Sequence, residues 1–326
     1  MTIYHFISFP WEGLDGLLIL TILYKVLFSL LRLLSRMPLG VHYFFADWLL
    51  YPVAYHLVRY RRKLVNRQLA DCFPEKSEKE RNAIARRFYH FFCDCIVETL
   101  KLATMPHDEV KRRVEFVGIE EMQQTLRQAG KKFGFFYLGH YGNWEWMASF
   151  PMWLEPQWQG AQIYHPLYNA EADRFFLHLR EQFGGLCIPM KQTMRQILEA
   201  RQKGQAEIIG FIADQSPKWQ ATHHWTPFLH HQTAFFIGSE RIARQVDAAL
   251  YYVRVTRPRR GYYRAELVLI TLNPQSPDLD IQSEYPATDH YTQLLEQQIR
   301  EQPELWLWTH NRWKRTYEQW LERYKK

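Results

Sequence analysis

Two histidine–carboxylate pairs in this chain share the spacing H-x4-[DE], His42 with Asp47 and His140 with Glu145. A carboxylate bound to one ring nitrogen fixes the imidazole tautomer and leaves the other nitrogen as a general base. With 14 histidines and 34 acids in 326 residues, chance alone produces such pairs, so context must separate them. His42 lies within the apolar, aromatic run VHYFFADWLLYPVAYHLVRY (41–60), with no strand before it, and reads as a packing or interfacial residue. His140 follows FGFFYL and Gly139, a buried strand and a turn, the place where open α/β sheets bind ligands. On a continuous helix His140 and Glu145 would stand about 140° apart and could not meet. With His140 on the loop, Asn143 as N-cap and Glu145 in the first turn of a helix over 143–154, they can. Backbone N–H groups at the start of that helix would suit an oxyanion or a phosphate.

The elements around this pair are legible from periodicity. Short strands are expected at Val114–Val117, Phe133–Leu138, Ala161–Tyr164, Glu207–Ala213, Leu250–Thr256 and Tyr262–Leu272. Helices are expected at 119–129, 143–154, 169–183, 191–203, 233–246, 284–301 and 304–325. The alternation predicts an α/β domain over 107–326, a layered mixed sheet flanked by helices. Upstream, 1–106 reads as an N-terminal helical region. Its clearest element runs from Ser77 to Leu102, where Ser77 and Glu80 form a capping box. The run 41–60 reads as a second apolar helix interrupted near Pro52.

Composition narrows the function classes. Apolar residues make up 47% and charged residues 23%, with a mean hydropathy of −0.39, which excludes a multi-span transporter. The net charge is +7, and residues 1–70 hold eight Lys or Arg against three acids. The basic excess beside the most apolar part of the chain points to an anionic membrane surface. No nucleic-acid-binding pattern accompanies it. Leu14–Leu34 is long enough to span a bilayer. Its Lys25, Ser29, Arg32 and Arg36 nevertheless fall on one stripe, as in an interfacial amphipathic helix anchored by Trp11 and Tyr24. No basic region precedes it and no small-residue cleavage site follows, so it does not read as a cleaved signal peptide. Cys72, Cys93, Cys95 and Cys187 lack disulfide or zinc-site spacing. The doublets His223-His224 and His230-His231 have no ligand partners at suitable spacing, and no metal is expected.

GHYGNWEW (139–146) resembles the first motif of the lysophospholipid acyltransferase superfamily, and most closely that of the late acyltransferases of lipid A biosynthesis. RQLADCFPEKSEKER (67–81), FIADQSP (211–217), PFLHHQTAFFIGSERIAR (227–244) and PELWLWTHNRWKR (303–315) resemble further blocks of that family, in the same order. LYYVRVT (250–256) lacks the strand proline of many glycerol-phosphate acyltransferases, which favours the lipid A branch. The resemblance implies a glycerol-phosphate-acyltransferase-like α/β fold with a membrane-anchoring N-terminal region at the cytoplasmic face of the inner membrane. It implies transfer of a fatty acyl chain from an acyl carrier protein thioester to a hydroxyl of a lipid A precursor, without metal or cofactor. His140 would be the base and Glu145 would orient it. Arg180, in LREQFGG, would contact substrate phosphate, with Arg174 as a further candidate and Asn143 as a further substrate-binding residue. Asp214 and Gln215 would position the sugar hydroxyl or buttress Arg180. Beside these stand plainer readings: Arg180 as a surface arginine, Asp214 as a cap, and Trp144, Trp146, Phe150 and Trp153 as core rather than walls of an acyl groove. A lysophospholipid or aminolipid acceptor, an acyl-CoA donor and a non-catalytic membrane scaffold are the competing functions.

Overall fold

The computed structural model describes residues 27–324, so most of the amphipathic segment Leu14–Leu34, with Trp11, Tyr24 and Lys25, lies outside the described residues. Residues 27–34 are helical, and Phe28 stacks on Phe175. Helix α1 (Leu39–Phe45) continues through two π-helical stretches, Ala46–Leu50 and Pro52–Leu57. Pro52 therefore does not interrupt this helix as expected: the wider π turns accommodate a residue with no N–H to donate. Along 27–58 a series of large apolar side chains faces outward, among them Phe44, Trp48 (74% exposed) and Leu57 (78%). Among the described residues no helix is long and apolar enough to cross a membrane.

Helix α2 (Arg62–Cys72) leads through FPEK to the long helix α3 (Glu78–Leu102). The predicted capping box is present: the Ser77 hydroxyl accepts the Glu80 N–H, and the Glu80 carboxylate accepts the Ser77 N–H at 2.8 Å. Ser77→Ala is expected to cost about 1 kcal/mol of stability, measurable as a shift in the denaturant midpoint.

After α4 (His107–Arg113), the chain alternates strand and helix. The elements are β1 (Val114–Val117), α5 (Ile119–Gln128), β2 (Phe133–Leu138), α6 (Trp144–Met147), β3 (Trp158–Tyr164), α7 (Ala170–Glu181), β4 (Leu186–Pro189), α8 (Thr193–Gln202) and β5 (Ala206–Ile212). A hairpin of β6 (Trp225–Phe228) and β7 (His231–Ala234) follows, then α9 (Gly238–Val246), β8 (Ala249–Arg259), β9 (Tyr262–Thr271), α10 (Pro286–Glu301) and α11 (Tyr317–Tyr324). Seven strands form one mixed sheet in the order β1-β9-β8-β2-β5-β3-β4. Every pairing in it is parallel except β8 with β9. Strand β2 is buried at every residue, as its uninterrupted apolar run requires. One hydrophobic core joins α2 and α3 to the sheet, from Leu69 and Phe88 to Phe136 and Trp308.

Three expected helices are corrected. The 143–154 helix is a single turn, Trp144–Met147, followed by a 3-10 turn at Phe150–Trp153, because Pro151 ends the α-helical ladder. The 233–246 helix begins only at Gly238, its first residues closing the β6–β7 hairpin. Residues 304–316 form a strap that opens with the 3-10 turn Pro303–Leu305 and continues as turns and extended chain rather than one α-helix, which resumes only at Tyr317. The strap's backbone is bonded elsewhere: Leu307 N–H donates to the His140 carbonyl at 3.1 Å, and Gly142 N–H to the Leu305 carbonyl at 3.0 Å.

Candidate active site

Strands β2 and β5 are parallel neighbours, with Leu138 opposite Ile212. Two residues past these ends stand His140 and Asp214, so the strand register itself sets them side by side. His140 Nδ1 lies 2.6 Å from Asp214 Oδ1, while the His140 backbone N–H donates to Oδ2 at 2.9 Å. Trp306, on the strap, donates its indole N–H to the same Oδ2 at 2.8 Å. The Asp214 side chain is 3% exposed and the His140 side chain 14%, so the imidazole is reachable while its partner is not. Burial alone would raise the Asp214 carboxyl. The neighbouring His140 and the donors from His140 and Trp306 outweigh it and hold the group well below the usual carboxylate range. An ionised Asp214 accepts Nδ1–H, which leaves Nε2 as the basic nitrogen. The Gln215 amide nitrogen lies 3.1 Å from Nε2, and Trp144 meets the ring edge-on.

The expected partnership of His140 with Glu145 is corrected by this geometry. Both imidazole nitrogens are engaged by Asp214 and Gln215, and Glu145 turns to Arg180. Arg180 Nε and Nη2 approach the two Glu145 oxygens at 2.9 and 2.8 Å, a fork-on-carboxylate pair with side-chain exposures of 12% and 5%. Arg180 is thus not a surface arginine, and Asp214 buttresses His140 rather than Arg180. Asn143 supplies no cap; its amide nitrogen donates to Glu98 at 2.9 Å. The single turn that begins after it is too short to offer the oxyanion or phosphate site expected there. Arg174 pairs with Glu171 on an exposed face of α7 and is not brought to His140. Of the four aromatics, Trp144 alone meets the base: Trp146 is buried against Tyr263, Phe150 against Phe136, and Trp153 packs on Phe116.

Sequence reasoning missed the strap as part of the site. Besides Trp306, it brings His310, whose Nε2 accepts the Ser216 N–H at 3.2 Å. Burial lowers the His310 pKa to about 3, so the ring stays neutral and keeps that acceptor. Gln68 on α2 clamps the strap, donating to the Trp308 and His310 carbonyls and accepting the Arg312 N–H. Spacing could not reveal this, since these residues lie more than 200 positions apart. The histidine doublets are separated in use: His224 bonds Asp289 at 2.7 Å, and His231 packs on Trp313. Among the described residues no group of three His, Cys, Asp or Glu could hold a metal ion. Burial pushes the Cys93 thiol up to about 12 and the Cys187 thiol up to about 11, away from nucleophilic use.

A partly exposed histidine held by a buried aspartate at the ends of two parallel strands is equipment for deprotonating a hydroxyl. Residues 18–315 match the family model of bacterial lipid A biosynthesis acyltransferases, and the chain belongs to that family and is an acyltransferase. It is 27% identical over 278 residues to the lipid A biosynthesis lauroyltransferase of Escherichia coli K12, covering 81% of this chain and 86% of that protein. The lipid A biosynthesis palmitoleoyltransferase of the same organism is 23% identical over 255 residues, 78% of this chain and 79% of that one. The myristoyltransferase is 27% identical over 146 residues, 44% and 43% of the two chains.

Proposed function

We propose that this protein moves a fatty acyl chain from an acyl carrier protein thioester to a hydroxyl of a lipid A precursor, at the cytoplasmic face of the inner membrane. The observation that carries the chemistry is the His140–Asp214 pair, set by strand register, with the imidazole partly exposed and Nε2 met, among the described residues, only by the Gln215 amide. Nε2 accepts the proton of the acceptor hydroxyl as its oxygen attacks the thioester carbonyl. The resulting imidazolium is stabilised by the Asp214 carboxylate. Collapse of the tetrahedral intermediate breaks the carbon–sulfur bond, and the proton passes from Nε2 to the departing thiolate. Help of this kind is worth roughly 10²- to 10⁴-fold in rate. Gln215 occupies Nε2 until the hydroxyl arrives and must yield that lone pair to it. Glu145 and Arg180 enter as one fixed pair rather than as separate groups. Membrane association is supported by the outward apolar series along 27–58 and the basic residues Arg59, Arg62 and Lys63 that follow.

The test incubates the full chain with acyl carrier protein thioester and a tetra-acylated lipid A precursor, with products read by mass. A gain of one acyl chain, absent with His140→Ala, is expected. No gain on this acceptor together with a gain on a lysophospholipid or aminolipid, or with acyl-CoA as the donor, would overturn the substrate assignment. For the surface, Trp48→Ser with Leu57→Ser is expected to weaken flotation with anionic liposomes by about tenfold or more, from the apolar area withdrawn. Unchanged flotation would remove this face from the membrane contact.

A further inference from the structure

Glu98 sits on the penultimate turn of α3, remote in sequence from every motif of the site, and is fully buried. Burying a carboxylate costs several kcal/mol unless its oxygens are fully engaged. Here each oxygen takes two donors. Tyr43 Oη at 2.8 Å and Arg257 Nη2 at 3.3 Å serve Oε1, while Asn143 Nδ2 at 2.9 Å and Tyr263 Oη at 2.6 Å serve Oε2. The Glu98 backbone carbonyl also accepts the Trp146 indole N–H at 3.0 Å. One residue of α3 therefore grips the catalytic segment at two points, Asn143 and Trp146, that bracket Glu145. One turn earlier, Cys95 Sγ contacts the Gly142 carbonyl at 3.9 Å. The loop is held from the opposite side as well. Gly142 has φ +61°, a Cβ there would come within 2.7 Å of Val255, and its N–H is given to the strap.

The charge around Glu98 is arranged to keep it in place. Arg257 bridges Glu98 and Asp94, and Arg260 bridges Asp94 to Asp47, next to the outward-facing Trp48. This network reaches from the exposed Asp47–Arg260 pair at the apolar outer face, through the buried Asp94 and Glu98, to the loop between His140 and Glu145. None of its members approaches the imidazole itself, so its action on the chemistry must pass through Asn143 and Trp146.

We infer that Glu98 is a positioning residue for acyl transfer, fixing through Asn143 and Trp146 the placement of the segment that carries His140 and Glu145. The inference rests on the proposed general-base reaction. Glu98→Asp is the diagnostic variant, because it keeps the charge that Arg257 requires while drawing the carboxylate back by one methylene. Tyr43 and Arg257 are on side chains long enough to follow it. Asn143 is not, since its backbone is pinned through Gly142.

The experiment measures kcat and KM for acyl transfer together with the downfield proton resonance of the His140 Nδ1–H···Asp214 bond. In Glu98→Asp, kcat is expected to fall by about 10²-fold with KM changed by less than about threefold, as for a small misplacement of catalytic groups. The downfield resonance is expected to shift. Asn143→Ala, which leaves Glu98 three donors, should reproduce both effects, and the double variant should be no worse than the poorer single one. Wild-type kcat and resonance in the two folded single variants, or losses that multiply in the double variant, would overturn the role. A shifted resonance in a protein whose wild type transfers no acyl group would instead sink the reaction and leave the positioning intact.

Discussion

Asp214→Asn is expected to lower acyl transfer by about 10³- to 10⁴-fold while leaving the protein folded. The argument is one of tautomers. Two fixed donors, the His140 backbone N–H and the Trp306 indole N–H, point at Oδ2. In the variant they hold the single carboxamide oxygen at that position, which turns the NH₂ group toward His140 Nδ1. Nδ1 must then accept, the ring proton moves to Nε2, and the nitrogen that faces the acceptor hydroxyl is no longer a base. In the wild-type protein the depressed pKa of Asp214 keeps it ionised throughout the neutral range, so no such switch occurs there. Turnover is to be compared with the thermal midpoint of the same samples, and a folded variant within about tenfold of wild type would remove Asp214 from the mechanism. Trp306→Phe separates the two donors. Oδ2 then keeps only the backbone N–H, and a smaller loss is expected.

The parts of this molecule that were readable in sequence are those governed by local chemistry. The limits of β1 follow from in–out alternation ended by Gly118 and those of β2 from an apolar run ended by Gly139, and the start of α3 follows from the Ser77–Glu80 box. His140 was found because a strand, a glycine and a histidine stand in succession. Its partner was not, because the pairing of His140 with Asp214 depends on β2 lying next to β5, and a spacing of 74 residues carries no such information. The β6–β7 hairpin escaped notice for a different reason. Its two-residue turn is Leu229-His230, both at positive φ, with none of the Asn-Gly chemistry that ordinarily announces it. The strap shows tertiary structure overriding pattern. Its aromatics have a helical texture, yet the Leu307 N–H goes to the His140 carbonyl and the Leu305 carbonyl accepts the Gly142 N–H, and these backbone bonds compete with an i to i+4 ladder.

The second large effect concerns the pair Glu145 and Arg180. A buried fork-on-carboxylate contact is geometrically favourable, but the same burial makes either partner costly once the other is gone. Arg180→Met removes the two parallel N–H donors from a carboxylate at 5% exposure and is expected to lower stability by up to about 3–5 kcal/mol. Arg180→Lys keeps the charge but cannot present two parallel N–H groups, and should fall between the two. The double change Glu145→Leu with Arg180→Met removes both charges and is expected to recover stability to within about 1–2 kcal/mol of wild type. Acyl transfer distinguishes what the pair is for. If it only holds α6 to α7, the double variant regains turnover along with stability. If one of the two groups meets the substrate, stability returns and turnover does not. The resemblance of Arg180 to a phosphate-contacting arginine and the Glu145 side chain's place beside it both favour the second outcome. Denaturant midpoints and kcat on the same three proteins decide it. Recovery of both together would reduce the pair to a strut between two helices and leave His140, Asp214 and Gln215 as the whole of the chemistry.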